Sequence, residues 1–163
     1  MQNFESIKTI IIGKRSNLSY HLAIRFDNAE VFSSAVLLDS LLVLSKFRGQ
    51  KINIVFNNFQ PSMFLNSFTD PQRYVDLSIT LTIKVLMFLI ENDVLINSII
   101  YTSSCSVYGN TERGSDYNQI APLGVPSSLK YVNEKILREV SSNYGFDLTI
   151  ARIFNIFAGN DEF

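Results

Sequence analysis

The sequence predicts an α/β fold, a doubly wound parallel sheet with helices on both faces. Three observations predict it. Short apolar runs alternate with longer helical stretches from residue 7 to the end. The runs, such as "TIII" and "INIVF", are continuously apolar rather than alternating, as strands are when both faces of a parallel sheet are covered. Small and polar residues gather just after each run, at the carboxyl ends where such sheets hold ligands.

The first strand is expected over 7–13, a β-branched run closed by Gly13, and a helix over 17–26. A second strand (29–34), a helix (35–47) and a third strand (51–58) follow. Asp70 and Pro71 read as the N-cap and first residue of a long helix over 70–92. A fourth strand (96–104), a polar loop (109–124), a helix (127–144) stopped by Gly145 and a fifth strand (147–154) complete the chain. Leu129, Val132, Ile136 and Val140 form an apolar stripe on the last helix, and Tyr131 and Lys135 point away from it.

Composition narrows the function. At 163 residues the chain fits one domain with a real core. A net charge of −1 offers no broad basic field, so nucleic acid is not expected as a partner. One cysteine, Cys105, leaves no internal disulfide, and with the one histidine, His21, it argues against a zinc site. No cleavable leader is read at the N-terminus. The most apolar stretch, "LSITLTIKVLMFLI" (77–90), is too short to span a bilayer and contains Lys84. No membrane span is expected, and the cytoplasm is the expected compartment.

The first turn, "GKRSNLS", has the position and spacing of a dinucleotide-binding loop. Gly13 is present, but Ser16 and Ser19 stand where further glycines usually lie. A serine hydroxyl can donate to a phosphate at a helix N-terminus, and Lys14 and Arg15 favour an anion. A cofactor loop and a plain βα turn both remain open here. Ser33 and Ser34 end the second strand in place of an acidic residue, which with Arg15 tilts the choice toward the 2′-phosphate of NADP over NAD.

Three further segments carry a resemblance. "YTSSCSVYG" (101–109), "YVNEK" (131–135) and "ARIFNIFAG" (151–159) are similar, in order and spacing, to signatures of the extended short-chain dehydrogenase/reductase family of nucleotide-sugar epimerases, dehydratases and reductases. The resemblance runs from about residue 7 to the end. It implies a Rossmann-like doubly wound sheet that binds NAD or NADP, with residues 1–163 forming the cofactor-binding domain and the family's substrate lobe missing. It implies that Tyr131 takes the proton of a sugar hydroxyl, that Lys135 supports it and holds the cofactor ribose, and that Ser104 hydrogen-bonds the reacting oxygen. Tyrosine ordinarily titrates near 10, and lowering that by about three units takes about 4 kcal/mol, which requires nearby positive charge.

By the same resemblance, Gly13, Arg15, Ser16, Ser19, Ser33 and Asn57 are expected to hold the cofactor, and Ser106 and Asn155 the substrate. Arg152 reads as structural. Cys105 and Ser106 replace the Asp-Glu pair of the dehydratases, which leaves an epimerase acting on a nucleotide-diphosphate sugar. A keto-sugar reductase resembling GDP-fucose synthase is one alternative; a non-catalytic nucleotide-binding module is another. Asn57, Asn58 and Phe59 depart from the family's usual histidine–alanine–alanine, and Ser78 from its usual asparagine. The resemblance also implies a homodimer through helices 70–92 and 127–144.

Overall fold

A computed structural model describes residues 7–57, 70–109 and 119–154. Asn155, Asn58 and Phe59, with the functional expectations attached to them, lie outside these residues. Five strands, β1 (Lys8–Ile12), β2 (Ala29–Phe32), β3 (Lys51–Phe56), β4 (Leu95–Ser104) and β5 (Asp147–Ile153), form one sheet in the order β2-β1-β3-β4-β5. Every pairing is parallel. The order reverses between β1 and β3, the switch point at which sheets of this kind open a crevice.

The register carries the strands to one carboxyl end, with β4 and β5 reaching further than β1 and β3. Ile12 pairs with Phe32 and Phe56, Phe56 with Tyr101, and Ser104 with Ile153. Gly13, Asn57, Ser104 and Phe154 therefore share one edge of the sheet.

The helices are α1 (Asn17–Arg25), α2 (Ser34–Asp39), α3 (Pro71–Val75), α4 (Leu81–Glu91) and α5 (Gly124–Tyr144). One pleat of the sheet supplies Ile10, Ile12, Ile52, Ile54, Phe56, Ile99 and Tyr101 to the core. They pack against Leu37 of α2, Leu81, Val85, Leu86 and Leu89 of α4, and Leu137 of α5. The opposite pleat is served by α1, whose Leu18 and Leu22 line an apolar cavity with Val55, Ile100 and Ala151.

Most expected elements form, with three differences. The helix expected over 35–47 breaks after Asp39. Ser40 is extended, its hydroxyl accepts from the Leu42 N–H at 3.4 Å, and a 3-10 helix runs over Leu42–Phe47. A serine that can bond its own local backbone competes with the helix in this way. The long helix does start as expected, with Asp70 accepting from the Arg73 N–H at 3.0 Å and Pro71 in its first turn. Between α3 and α4, however, it passes through a π turn over Asp76–Thr80. The Ser78 carbonyl there accepts from Thr82 Oγ1 at 2.9 Å and from Asn133 Nδ2 at 3.0 Å, so side chains satisfy the loosened backbone.

The third difference concerns α5. Its inward face is polar: Ser127, Asn133 and Glu134 are buried with Leu137. Of the expected apolar stripe, Val132 is 44% exposed, Leu129 and Ile136 are half-buried, and Val140 packs at the core margin. Apolar periodicity alone missed an inner face whose side chains are held by hydrogen bonds. Lys130 is part of it. Its Nζ donates to the Thr102 carbonyl at 2.8 Å and stands 5.1 Å from the Tyr101 ring centre. Burial lowers the Lys130 ammonium to about 8, with the Glu134 charge opposing.

Two outcomes are expected. Ile54→Ala, which opens a cavity at a fully buried position of a central strand, should cost about 2–5 kcal/mol, read as a lower urea midpoint. Because the folded pKa of Lys130 lies below its unfolded value, the unfolded chain binds more protons between about pH 8 and 10.5. Stability therefore rises with pH across that window. Between pH 7.5 and 9.5 the chain should gain about 1–2 kcal/mol relative to Lys130→Met in urea titrations.

Candidate functional site

The site is built from strand ends. At the end of β1, Gly13 is buried with φ 126°, a conformation that favours glycine. The Gly13 and Lys14 N–H groups both donate to the Phe32 carbonyl, at 2.9 and 3.1 Å, which ties the ends of β1 and β2 together. Lys14 and Arg15 are exposed on the turn, and Ser16 begins α1 as its N-cap. Ser33, half-buried, stands directly after β2 and caps α2.

Asn57 organises this edge. Its side chain is fully buried, and Nδ2 donates to Ser16 Oγ at 2.9 Å and to Ser19 Oγ at 2.7 Å. Its Oδ1 accepts from Thr102 Oγ1 at 2.9 Å, and its backbone N–H donates to the Ile12 carbonyl at 2.8 Å. The two serines that replace glycines thus turn toward Asn57, and each hydroxyl keeps its own proton to donate. This cluster brings Ser16, Ser19 and Asn57 together beside Gly13.

A second cluster lies at the end of β4. Ser104 N-caps a 3-10 turn over Cys105–Tyr108, and its Oγ accepts from the Ser106 N–H at 3.2 Å and from Ser106 Oγ at 2.9 Å. With its acceptor capacity so used, the Ser104 hydroxyl has its proton left to offer. Gly109 closes the turn with φ 73°, and a Cβ there would lie 2.3 Å from the Ala121 carbonyl oxygen. Cys105 is a half-buried free thiol.

Helix α5 packs along β4, β5 and this turn. It carries Tyr131, half-buried, and Lys135, exposed, with Lys135 Nζ 5.0 Å from the centre of the Tyr131 ring. The i, i+4 spacing accounts for the contact. Its effect is to hold a positive charge against the phenol.

Between these clusters runs a network centred on Glu134, a residue that motif spacing did not single out. Glu134 is 1% exposed. Its Oε1 accepts from Ser103 Oγ at 2.5 Å and from Arg152 Nε at 3.0 Å, and its Oε2 accepts from Arg152 Nη2 at 2.7 Å. Arg152 Nη1 donates to the Tyr108 hydroxyl at 2.9 Å. The Glu134 hydrogen bond raises the Arg152 pKa above its ordinary value, against the effect of burial. The only signal in the sequence was a carboxylate one residue before Lys135, on the helix face that proved to be buried.

Among the described residues no group of His, Cys, Asp and Glu is suited to hold a metal ion, and no helix is long and apolar enough to cross a membrane.

Comparison with known proteins agrees with this architecture. The sequence profile described as "NAD dependent epimerase/dehydratase family" matches residues 7–162. A UDP-glucose 4-epimerase from Lactobacillus helveticus is 26% identical over 129 residues, which are 76% of this chain and 38% of that protein. The fold is shared with a UDP-N-acetylglucosamine 4-epimerase from Methanobrevibacter ruminantium solved with UDP-N-acetylmuramic acid (TM-score 0.75, 19% identity, 93% of this chain and 56% of that one). It is shared also with a Thermus thermophilus UDP-glucose 4-epimerase solved with NAD (TM-score 0.71, 16% identity, 90% and 54%). The chain spans about half the length of these solved proteins. With a five-stranded parallel Rossmann-like sheet, a strand order that reverses between β1 and β3, and a profile match over nearly its whole length, this chain belongs to the NAD-dependent epimerase/dehydratase family.

Proposed function

We propose that residues 1–163 form the cofactor-binding domain of an NAD(P)-dependent nucleotide-sugar epimerase in which Ser104, Tyr131 and Lys135 handle the substrate proton. The observation that carries this is the Lys135 ammonium 5.0 Å from the Tyr131 ring, on a helix packed against the strand that ends in Ser104. That the matched curated relative is a UDP-glucose 4-epimerase supports an epimerase over a dehydratase.

The residues present suit a dinucleotide. Gly13 allows close backbone approach. α1 begins at this turn, so the positive end of its dipole lies there, and Lys14 and Arg15 add positive charge beside it. Ser16, Ser19 and Asn57 shape the floor of this turn, and Ser33 lies where an adenosine ribose would be read. A serine there, with Arg15 exposed nearby, leaves room for the 2′-phosphate of NADP as well as for NAD. When bound, the nicotinamide supplies an acceptor and donor of hydride. In this reading Tyr131 removes the proton from a sugar hydroxyl and later returns it, Lys135 steadies the negative charge developing on the phenol, and Ser104 donates its proton to the reacting oxygen. Ser106 and Asn155 contact the nucleotide-diphosphate sugar.

Exposed apolar residues support pairing of two copies through α4 and α5. Ile83 and Met87 on α4 are 40% and 37% exposed, and Val132 on α5 is 44% exposed.

Native mass spectrometry of the purified protein should find NAD(H) or NADP(H) bound. Tyr131→Phe should retain that nucleotide while interconversion of UDP-glucose and UDP-galactose falls by ~10²–10⁴-fold. A wild-type protein that binds neither dinucleotide, or a Tyr131→Phe variant of undiminished rate, would overturn the reading. In sedimentation velocity, Met87→Glu should shift a dimer toward monomer, because it sets a charge in an apolar contact.

A further inference from the structure

We infer that Glu134 is a positioning residue that couples the helix bearing Tyr131 and Lys135 to the turn bearing Ser104. The inference rests on the roles given above to Ser104 and Tyr131. Its physical basis is a single desolvated carboxylate with bonds to both sides of that turn. On one side its Oε1 accepts from Ser103, the residue immediately before Ser104. On the other it binds Arg152 through both oxygens, and Arg152 donates to the hydroxyl of Tyr108, the last residue of the turn that Ser104 opens. The segment from Ser103 to Tyr108 is therefore held at each end by one side chain of α5, directly at the first and through one guanidinium at the second.

Position on the helix gives these bonds their consequence. Glu134 lies three residues after Tyr131 and one before Lys135, so a rotation or slide of α5 that moves the phenol also breaks the carboxylate's bonds. The register completes the arrangement, because Ser103 is level with Arg152 across β4 and β5. Both partners therefore reach the carboxylate from adjacent strands. Burying an ion pair of this kind adds little net stability over an apolar contact of similar shape, but removing one partner strands the other's charge. A Glu here is poorly explained by core packing alone and well explained by the alignment of two groups that must meet one oxygen atom.

The test uses the full chain and two readouts. Backbone order parameters of Cys105–Gly109 should be near ~0.85 in the wild type and fall below ~0.6 in Glu134→Gln, with Ile54 unchanged. Ser103→Ala and Tyr108→Phe each remove one tether and should lower the same values by a smaller amount, so the test stands even if Glu134→Gln does not fold. Turnover of UDP-glucose per bound NAD should fall about tenfold to hundredfold in Glu134→Gln while KM stays within about twofold. Counting turnover per bound NAD removes any loss of folded protein from the comparison. A rigid Cys105–Gly109 segment in all three variants overturns the inference, as does unchanged turnover per bound NAD in Glu134→Gln. A wild type that binds no dinucleotide counts against the epimerase reading instead, and the order parameters then decide the coupling by themselves.

Discussion

The carboxyl end of this sheet depends on the buried carboxamide of Asn57. A primary amide taken out of water must find partners for its N–H groups and its oxygen, and an unmet one costs about 1–3 kcal/mol. Asn57 meets this demand by reaching the first turn through Ser16 and Ser19 and the neighbouring strand through Thr102. Three strand ends are pinned to one another by one side chain. The substitution of serines for glycines in the first turn then has a local logic. Glycine permits close approach of backbones, whereas serine supplies an acceptor to an amide that would otherwise be stranded. The turn remains compact by hydrogen bonding rather than by the absence of side chains.

Helix α5 shows the same preference for polar fastening. Its buried side carries Ser127, Lys130, Asn133 and Glu134, and each reaches a specific partner: the Leu123 carbonyl, the Thr102 carbonyl, the π turn at Ser78, and the Ser103–Arg152 pair. Leu137 and Val140 bring it into the apolar core toward its C-terminal end. Such a helix has fewer alternative seatings than one held by interchangeable aliphatic contacts, since a shift of one residue would leave several buried groups unpaired at once. On its outer face Val132 is exposed beside Lys135, Arg138 and Glu139.

Much of this architecture was legible in the residues alone. The strands stood out because a parallel sheet covered on both faces requires unbroken apolar runs such as "TIII" and "INIVF". The ends of the long helices were marked by Asp70 with Pro71 and by Gly145, whose φ of 74° and bond from its N–H to the Ser141 carbonyl at 2.8 Å end α5. The pairing of Tyr131 with Lys135 followed from helical spacing. The Glu134 network did not, because its partners Ser103 and Arg152 lie 31 and 18 residues away and only the strand register brings them alongside. Apolar periodicity also pointed to the wrong face of α5, since it has no means of counting a buried Asn or Glu that hydrogen-bonds to specific partners. The π turn was hidden for a related reason. One of the two side chains that satisfy its Ser78 carbonyl is Asn133, from a helix that comes far later in the chain.

The close approach of Gly109 to Ala121 bears on how relatives of this chain should be read. A side chain at 109 would strike the Ala121 carbonyl oxygen and would also need a left-handed backbone, so the position is closed to other residues on packing grounds alone. A relative that has abandoned catalysis but still folds this way is obliged to keep that glycine. Ser104 and Lys135 meet no such steric bar, the one half-buried and the other exposed. The glycine therefore testifies to the shape of the turn and to nothing about what the turn does.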